Sequence, residues 1–274
     1  MNSPELVQKV VVGRLGPMHY EPANVAYVGG APVHEDPVRE HREASFDLLQ
    51  LWPGARAVDV GCGVGDDAVE MAARVGAYGL VVGVDQNREM LAHARARVDH
   101  PNAPLDFREG SPHALGLPDA SFDALRADRV LQRLPNPGAA LAEFSRVVRT
   151  GGRVVVSEPD LDTVLLDTSE PELTARLLDY QRQRSVGIPG RRLRRLLADA
   201  GLHDVEVLAH TQVETELLIA DRMLGLSEIM QAAVTAGTFS AIEALRWRVA
   251  AGRDSACKHF MAAITVFTAA GTRV

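Results

Sequence analysis

The stretch Val58-Asp59-Val60-Gly61-Cys62-Gly63-Val64-Gly65 constrains this chain more than any other. An apolar strand pattern runs into three glycines at alternate positions, then into a helical pattern opened by Asp66 and Asp67. Glycine is needed where the backbone takes positive φ or where a ligand must approach it closely, so this order of elements marks a ligand-binding crossover. Asp85 ends the next apolar run 20 residues after Gly65, where a carboxylate can accept hydrogen bonds from ribose hydroxyls. Dinucleotide sites share this geometry when the loop reads G-x-G-x-x-G. Here the third glycine would fall at 66, which is Asp66. An acid there crowds the helix against the strand and opposes a pyrophosphate with like charge. A nucleoside ligand without phosphate escapes the objection.

From Arg56 to Glu158 apolar runs alternate with helical patterns, the arrangement of a parallel sheet covered by helices. Strands are expected at Ala57–Val60, Leu80–Asp85, Leu105–Glu109, Ala124–Asp128 and Arg153–Glu158, with helices at Asp67–Val75, Asn87–Val98 and Pro137–Val148. Asn136 before Pro137 is a start signal, because Asn caps free amides and Pro suits the first turn. A leading helix is expected within Pro37–Leu51. Beyond Glu158, Ser169 and Glu172 form a capping-box pattern opening a helix to about Arg184, and a further helix covers Arg191–Ala200. Val205–Leu208 and Ile264–Phe267 read as the last two strands. Between them Leu217 to about Ala251 reads as a long helical segment, restarted by a second capping box at Ser240 and Glu243.

The net charge of −7 disfavours a nucleic-acid partner, since phosphate binding relies on clustered Lys and Arg. The one basic cluster, Arg191, Arg192, Arg194 and Arg195, spreads over a helix surface and reads as solvated. Only Cys62 and Cys257 are present, which argues for a reducing compartment, and Met1–Val12 lacks the pattern of a signal peptide. A cytoplasmic protein without a membrane span is expected. The histidines show no zinc spacing, and Asp160 and Asp162 lack a third ligand in register, so no metal is expected.

Several ordered motifs extend the glycine turn. They are Leu117-Pro118-Asp119-Ala120-Ser121-Phe122-Asp123-Ala124 leading into strand four, and Leu141 to Gly152, ending Arg146-Val147-Val148-Arg149-Thr150-Gly151-Gly152, before strand five. With Asp59–Gly65 and Asp85, they make the chain resemble the class I methyltransferases over roughly residues 37–208, particularly the branch with the ubiquinone and menaquinone methyltransferases. The resemblance implies S-adenosyl-L-methionine as cofactor. It implies a Rossmann-like α/β fold of seven mostly parallel strands, the last antiparallel, with helices on both faces. The backbone at Gly61, Gly63 and Gly65 would approach the methionine part, Asp85 would bind ribose, and Gln86 would lie beside the adenosine. Gly110-Ser111 stands where relatives commonly carry Gly-Asp against the adenine amino group, and Ser111 can still accept a hydrogen bond. Arg129 and Tyr27 complete the candidate cofactor set. Leu131-Gln132-Arg133-Leu134 has arginine where many relatives carry histidine.

Asp59 has two readings, direct cofactor contact or tying down the loop amides. Cys62 reads as a small buried filler. Glu158 and Asp160, just beyond strand five, are the candidate catalytic carboxylates, with a structural turn around Pro159 as the alternative. The expected organisation is a single domain, its core about 37–158 with 191–211 and 259–274. A helical substrate cap is drawn from 1–36, 159–190 and 212–258. Phe239, Met223, Leu224, Leu226, Ile229, Met230 and Trp247 read mainly as cap core, and would also suit an apolar acceptor wall. The expected function is methylation of a small, largely apolar acceptor, a secondary metabolite. Quinone C-methylation, or a cyclisation or rearrangement without methyl transfer, are the alternatives. An apolar cap helix would pair subunits in a homo-oligomer.

Overall fold

The computed structural model describes residues 39–97, 104–184 and 187–274. Seven strands form one sheet in the order β3-β2-β1-β4-β5-β7-β6. They are β1 (Arg56–Val60), β2 (Leu80–Asp85), β3 (Leu105–Glu109), β4 (Phe122–Asp128), β5 (Val148–Asp167), β6 (Leu202–Glu214) and β7 (Met261–Arg273). β1 to β5 pair in parallel, and β7 runs antiparallel between β5 and β6. Strands β1, β2 and β4 are buried almost throughout because helices cover both faces.

Strand alternation divides the core. On one face Ala57, Val81, Ala124 and Val155 meet α1 (Arg39–Leu49), α2 (Asp66–Val75) and α3 (Arg88–Arg97) through Phe46, Leu49, Met71 and Leu91. On the other, Val58, Val82, Leu125 and Val154 meet α4 (Pro137–Val147) and α6 (Leu193–Asp199) through Leu141, Phe144 and Leu197. Asn136 caps α4 as its sequence predicts, its side chain accepting from Ala139 N.

Three details depart from the sequence reading. The last three strands are longer than expected, because β5 and β7 continue to pair past Glu158 as far as Asp167 and Met261, with a register shift between Asp160 and Leu165. The helical stretch after β6 is three helices, α7 (Leu217–Leu224), α8 (Leu226–Thr235) and α9 (Ala241–Ala256). Gly225, in the left-handed conformation, ends the first of them. The Ser240–Glu243 capping box is formed. In contrast, α5 (Pro171–Arg184) does not start on a Ser169–Glu172 box: the Ser169 hydroxyl accepts from Arg253 and its amide donates to Asp254.

α5, α7, α8 and α9 share a third apolar core with the extended ends of β5 and β7. Trp247, Phe239, Met230, Leu224 and Leu226 are buried in it, and the Trp247 indole donates to Thr174 Oγ1 at 2.9 Å. α9 leaves Ile242, Leu245 and Val249 exposed as one stripe. No helix of the described residues is long and apolar enough to cross a membrane.

The segment leading into α6 lies directly on the end of the parallel sheet. A Cβ added to Gly190 would stand 2.3 Å from the Glu158 carbonyl oxygen and 3.0 Å from the Phe267 ring, so only glycine permits this approach. Gly190→Ala must push the segment off β5. We expect it to cost about 1–3 kcal/mol, the range for overpacked sites. Urea denaturation of the two proteins measures this, and an unchanged midpoint would show that the contact is dispensable.

Candidate active site

The carboxyl edge of β1, β2 and β4 is organised by the glycine turn, by Asp85 and by a buried ionic cluster. Gly65 has φ of 86°, and a Cβ there would lie 2.6 Å from the Phe107 ring, so this position admits only glycine and lets α2 start close against β3. The Gly63 amide donates to Asp85 Oδ2 at 2.9 Å and the Asn87 amide to Oδ1 at 2.8 Å. Asp85 therefore fastens the turn after β1 to the start of α3. Each oxygen keeps a lone pair for another donor. Asn87 in turn caps α3 through Glu89 N and Met90 N. Gln86 is exposed next to this junction. The Gly110 amide donates to the Asp85 carbonyl, and Ser111 Oγ accepts from the His113 amide. These residues, with Gly61 and Gly63, are gathered on one sheet edge.

Asp59 takes a part that neither sequence reading contained. In the parallel register it lies opposite Arg126 of β4. Arg126 is 1% exposed, and its guanidinium donates to Asp67 Oδ2 at 2.7 Å, Asp128 Oδ2 at 3.0 Å and Ser45 Oγ at 3.0 Å. Its Nη1 lies 3.6 Å from Asp59 Oδ1. Gln212 of β6 reaches His41 Nδ1, and His41 Nε2 reaches Asp128, both at 3.3 Å. The cluster joins α1, β1, α2, β4 and β6.

Burial pushes the Asp59 carboxyl up to about 7, against the pull of Arg126. Burial also disfavours charge on Asp128, but the His41 hydrogen bond and Arg126 outweigh it and hold Asp128 well below the usual carboxylate range. Desolvation opposes charge on Arg126, and Asp128, Asp67 and Asp59 together keep it protonated. The sequence signal was a charged residue inside each of two strands read as buried, which demands a partner. Cys62 is buried, and burial raises its thiol, in keeping with a filler.

Arg129, just past β4, has φ of 56° and an exposed side chain 3.5 Å from Asp128. Glu158 is fully buried at the end of the parallel part of β5. Its Oε1 accepts from the Leu131 amide at 2.6 Å, and burial is the main cause that lifts its carboxyl to about 8. Asp160 is buried two residues on and fully engaged: Arg191 Nε lies 2.7 Å from Oδ2 and Nη2 2.9 Å from Oδ1. The structure thus separates these two candidates, one holding the loop after β4 and the other clamped to the segment before α6. Tyr27, Tyr20 and cap segment 1–36 lie outside the described residues. No group of metal-ligating side chains occurs among the described residues.

A methyltransferase-domain family model matches residues 58–156, which contain the glycine turn, Asp85 and the strands around Arg126. Residues 58–156 thus carry a methyltransferase domain, and the fold around them is that of the class I S-adenosylmethionine-dependent methyltransferases. Over 236 residues it is 37% identical to an uncharacterized 37.1 kDa protein in a transposon of Streptomyces fradiae, covering 85% of this chain and 66% of that one. Over 135 residues it is 30% identical to a demethylmenaquinone methyltransferase of Bacillus licheniformis, covering 49% of this chain and 54% of that enzyme. The chain thus spans about two thirds of the first relative and about half of the second. The YcgJ protein of Bacillus subtilis shares its fold, with a TM-score of 0.60, 15% identity, and coverage of 86% and 98%.

The donor set of this methyltransferase domain fits the family cofactor, S-adenosylmethionine. Among the described residues Asp59 Oδ2 and Asp128 Oδ1 are buried without hydrogen-bond partners, and a ligand carrying ammonium and sulfonium cations suits such an edge better than a phosphate does.

Removing the central cation leaves three carboxylates facing one another. Arg126→Met should cost about 3–5 kcal/mol near pH 8, the range for breaking a buried ion pair. Without the guanidinium the carboxyls bind protons more readily, so the deficit should shrink as pH falls toward 5. Chemical denaturation across that range checks the sign. A deficit that grows toward low pH would contradict the assigned charges.

Proposed function

We propose that this chain transfers a methyl group from S-adenosylmethionine to a small-molecule acceptor. The observation that carries the reading is Asp85, whose two oxygens hold the amides of the glycine turn and of the next helix at the carboxyl edge of the sheet. In open α/β sheets ligands bind at that edge. When bound, the cofactor supplies a sulfonium methyl group and leaves as S-adenosylhomocysteine. Gly61, Gly63, Gly65, Asp85, Gln86, Gly110, Ser111 and Arg129 are the residues proposed to hold it, with Tyr27 from the preceding segment.

The proposed mechanism rests on alignment. Holding donor and acceptor about 3–3.5 Å apart can supply about 7–11 kcal/mol of the barrier, whereas a positioned base adds about 10²–10⁴-fold. Glu158 is the better placed of the two carboxylates for the second contribution. It shapes the Val130–Gln132 backbone and holds a proton at neutral pH. Once ionised it can take one from the acceptor. Asp160, spent on Arg191, is proposed to shape the adjoining wall.

The acceptor is proposed to be a secondary metabolite methylated in the cytoplasm, beneath a cap containing 159–190 and 212–258. The free Cys62 and Cys257 accord with a reducing compartment. Quinone methylation stands beside this reading because of the name of the Bacillus relative. Release of S-adenosylhomocysteine on turnover separates methyl transfer from a rearrangement that leaves the cofactor intact.

Glu158→Gln gives two readouts. With the raised value near 8 against an ordinary 4.5, the native protein holds more protons than the unfolded chain between those limits. Glu158 therefore costs stability progressively as pH rises from about 4.5 to 8. The Gln variant should gain relative stability over that interval, on the order of a few kcal/mol, since a tenfold change in proton affinity is worth about 1.4 kcal/mol. Turnover in the native enzyme should rise through about pH 8, and the variant should lose that limb while S-adenosylhomocysteine affinity is kept. Asp160→Asn should shift KM more than the pH profile. An unaltered profile in Glu158→Gln would return Glu158 to a structural turn.

A further inference from the structure

A cavity of about 450 Å³ opens beyond the carboxyl end of β4 and the parallel part of β5, within the usual range for small-molecule sites. It is lined by Pro159 and Asp160, directly after Glu158, by Gln132 and Arg133 of the loop that Glu158 holds, and by Arg182 and Arg184 at the carboxyl end of α5. It therefore sits on the same sheet edge as Asp85 but across β1 and β4, on the acceptor side of a cofactor bound near the glycine turn. No residue of 212–258 appears in its lining. The large apolar side chains of that segment, Trp247 and Phe239 among them, are consumed in the cap's own core.

The lining combines guanidinium groups with the apolar side chains of Pro159, Leu161, Ile188 and Pro189. Arg133, Arg182 and Arg184 all contribute to it, and Arg191 reaches it through Asp160 and Asp162. The counter-charges are unevenly placed. Asp160 and Asp162 are taken by Arg191, and Arg182 lies 3.0 Å from Asp179. Arg184 has no carboxylate of the described residues within ion-pair distance: its Nη1 meets the neutral Tyr180 hydroxyl at 3.3 Å, and its guanidinium lies over the Tyr180 ring. Tyrosine thus positions the cation without neutralising it. Glu158, the residue before Pro159, is buried, and its Oε1 accepts from the Leu131 amide.

We propose that this cavity receives an acceptor bearing an oxyanion group, a carboxylate or a phosphate, held by Arg184. A guanidinium fork matches the paired oxygens of either group. The inference rests on the methyltransferase reading and replaces its apolar acceptor with an anionic one, whose oxyanion end is gripped at the carboxyl end of α5 while its remainder extends along the sheet edge toward the cofactor side.

The test uses the full chain saturated with S-adenosylhomocysteine and three probes of similar size, benzoate, phenyl phosphate and benzyl alcohol, in calorimetric titrations. At least one oxyanion probe should bind about tenfold or more tightly than benzyl alcohol, with affinity falling as salt rises. Arg184→Gln should reduce oxyanion binding about tenfold, leaving S-adenosylhomocysteine affinity and Tm unchanged. Equal binding of benzyl alcohol, absence of oxyanion binding, or full retention of it in Arg184→Gln would overturn the proposal. The two readings fail separately. A chain that binds oxyanions through Arg184 but never S-adenosylhomocysteine would sink the methyltransferase reading and leave the anion site standing.

Discussion

The guanidinium of Arg126 is the constraint on which this architecture turns. A cation buried at a sheet face is tolerable only when carboxylates and hydrogen bonds replace its water, and here they come from far apart in the sequence: Asp59 on β1, Asp67 on α2, Asp128 on β4 and Ser45 on α1. Through His41 and Gln212 the network reaches β6 as well. One charged side chain in β4 therefore fixes where α1 lies and holds the strand before the glycine turn against the helix after it.

That placement has a consequence for ligand binding. The elements joined by Arg126 are those that bracket the glycine turn, so the turn is held from one side by the ionic cluster and from the other by Asp85. The edge is pre-formed, with backbone amides and carboxylates already aimed, and a bound nucleoside would add contacts rather than build the site. The acceptor side is made differently. There Gly190 allows the chain to lie on the Glu158 carbonyl, and Arg191 is clamped to Asp160, part of the lining of an arginine-bearing cavity.

Much of this was legible in advance because it is local. Hydrophobic periodicity located all seven strands, and Asn136-Pro137 and Ser240-Glu243 marked helix starts that the structure contains. Asp85 beside the glycine turn follows from motif spacing, and Gly110 from the family resemblance. What escaped was non-local. The partner of Asp59 depends on the register of β1 against β4, which no spacing reveals, although Arg126 inside an apolar strand signalled a missing counter-charge. The Ser169-Glu172 pattern failed for the same reason, since Arg253 and Asp254 of a distant helix compete for Ser169. The apolar residues of 212–258, read mainly as core, do pack against each other.

The most direct test of the account is a calorimetric titration of S-adenosylhomocysteine into the native chain and into Asp85→Ala. Saturable binding to the native chain is expected, with stabilisation of about 2.7 kcal/mol at a hundredfold excess over Kd, and no comparable effect of NAD. Asp85→Ala should remain folded and bind at least tenfold more weakly, having lost both a ribose acceptor and the tether on Gly63. A folded native chain that fails to bind, or an Asp85→Ala variant with undiminished affinity, would contradict it.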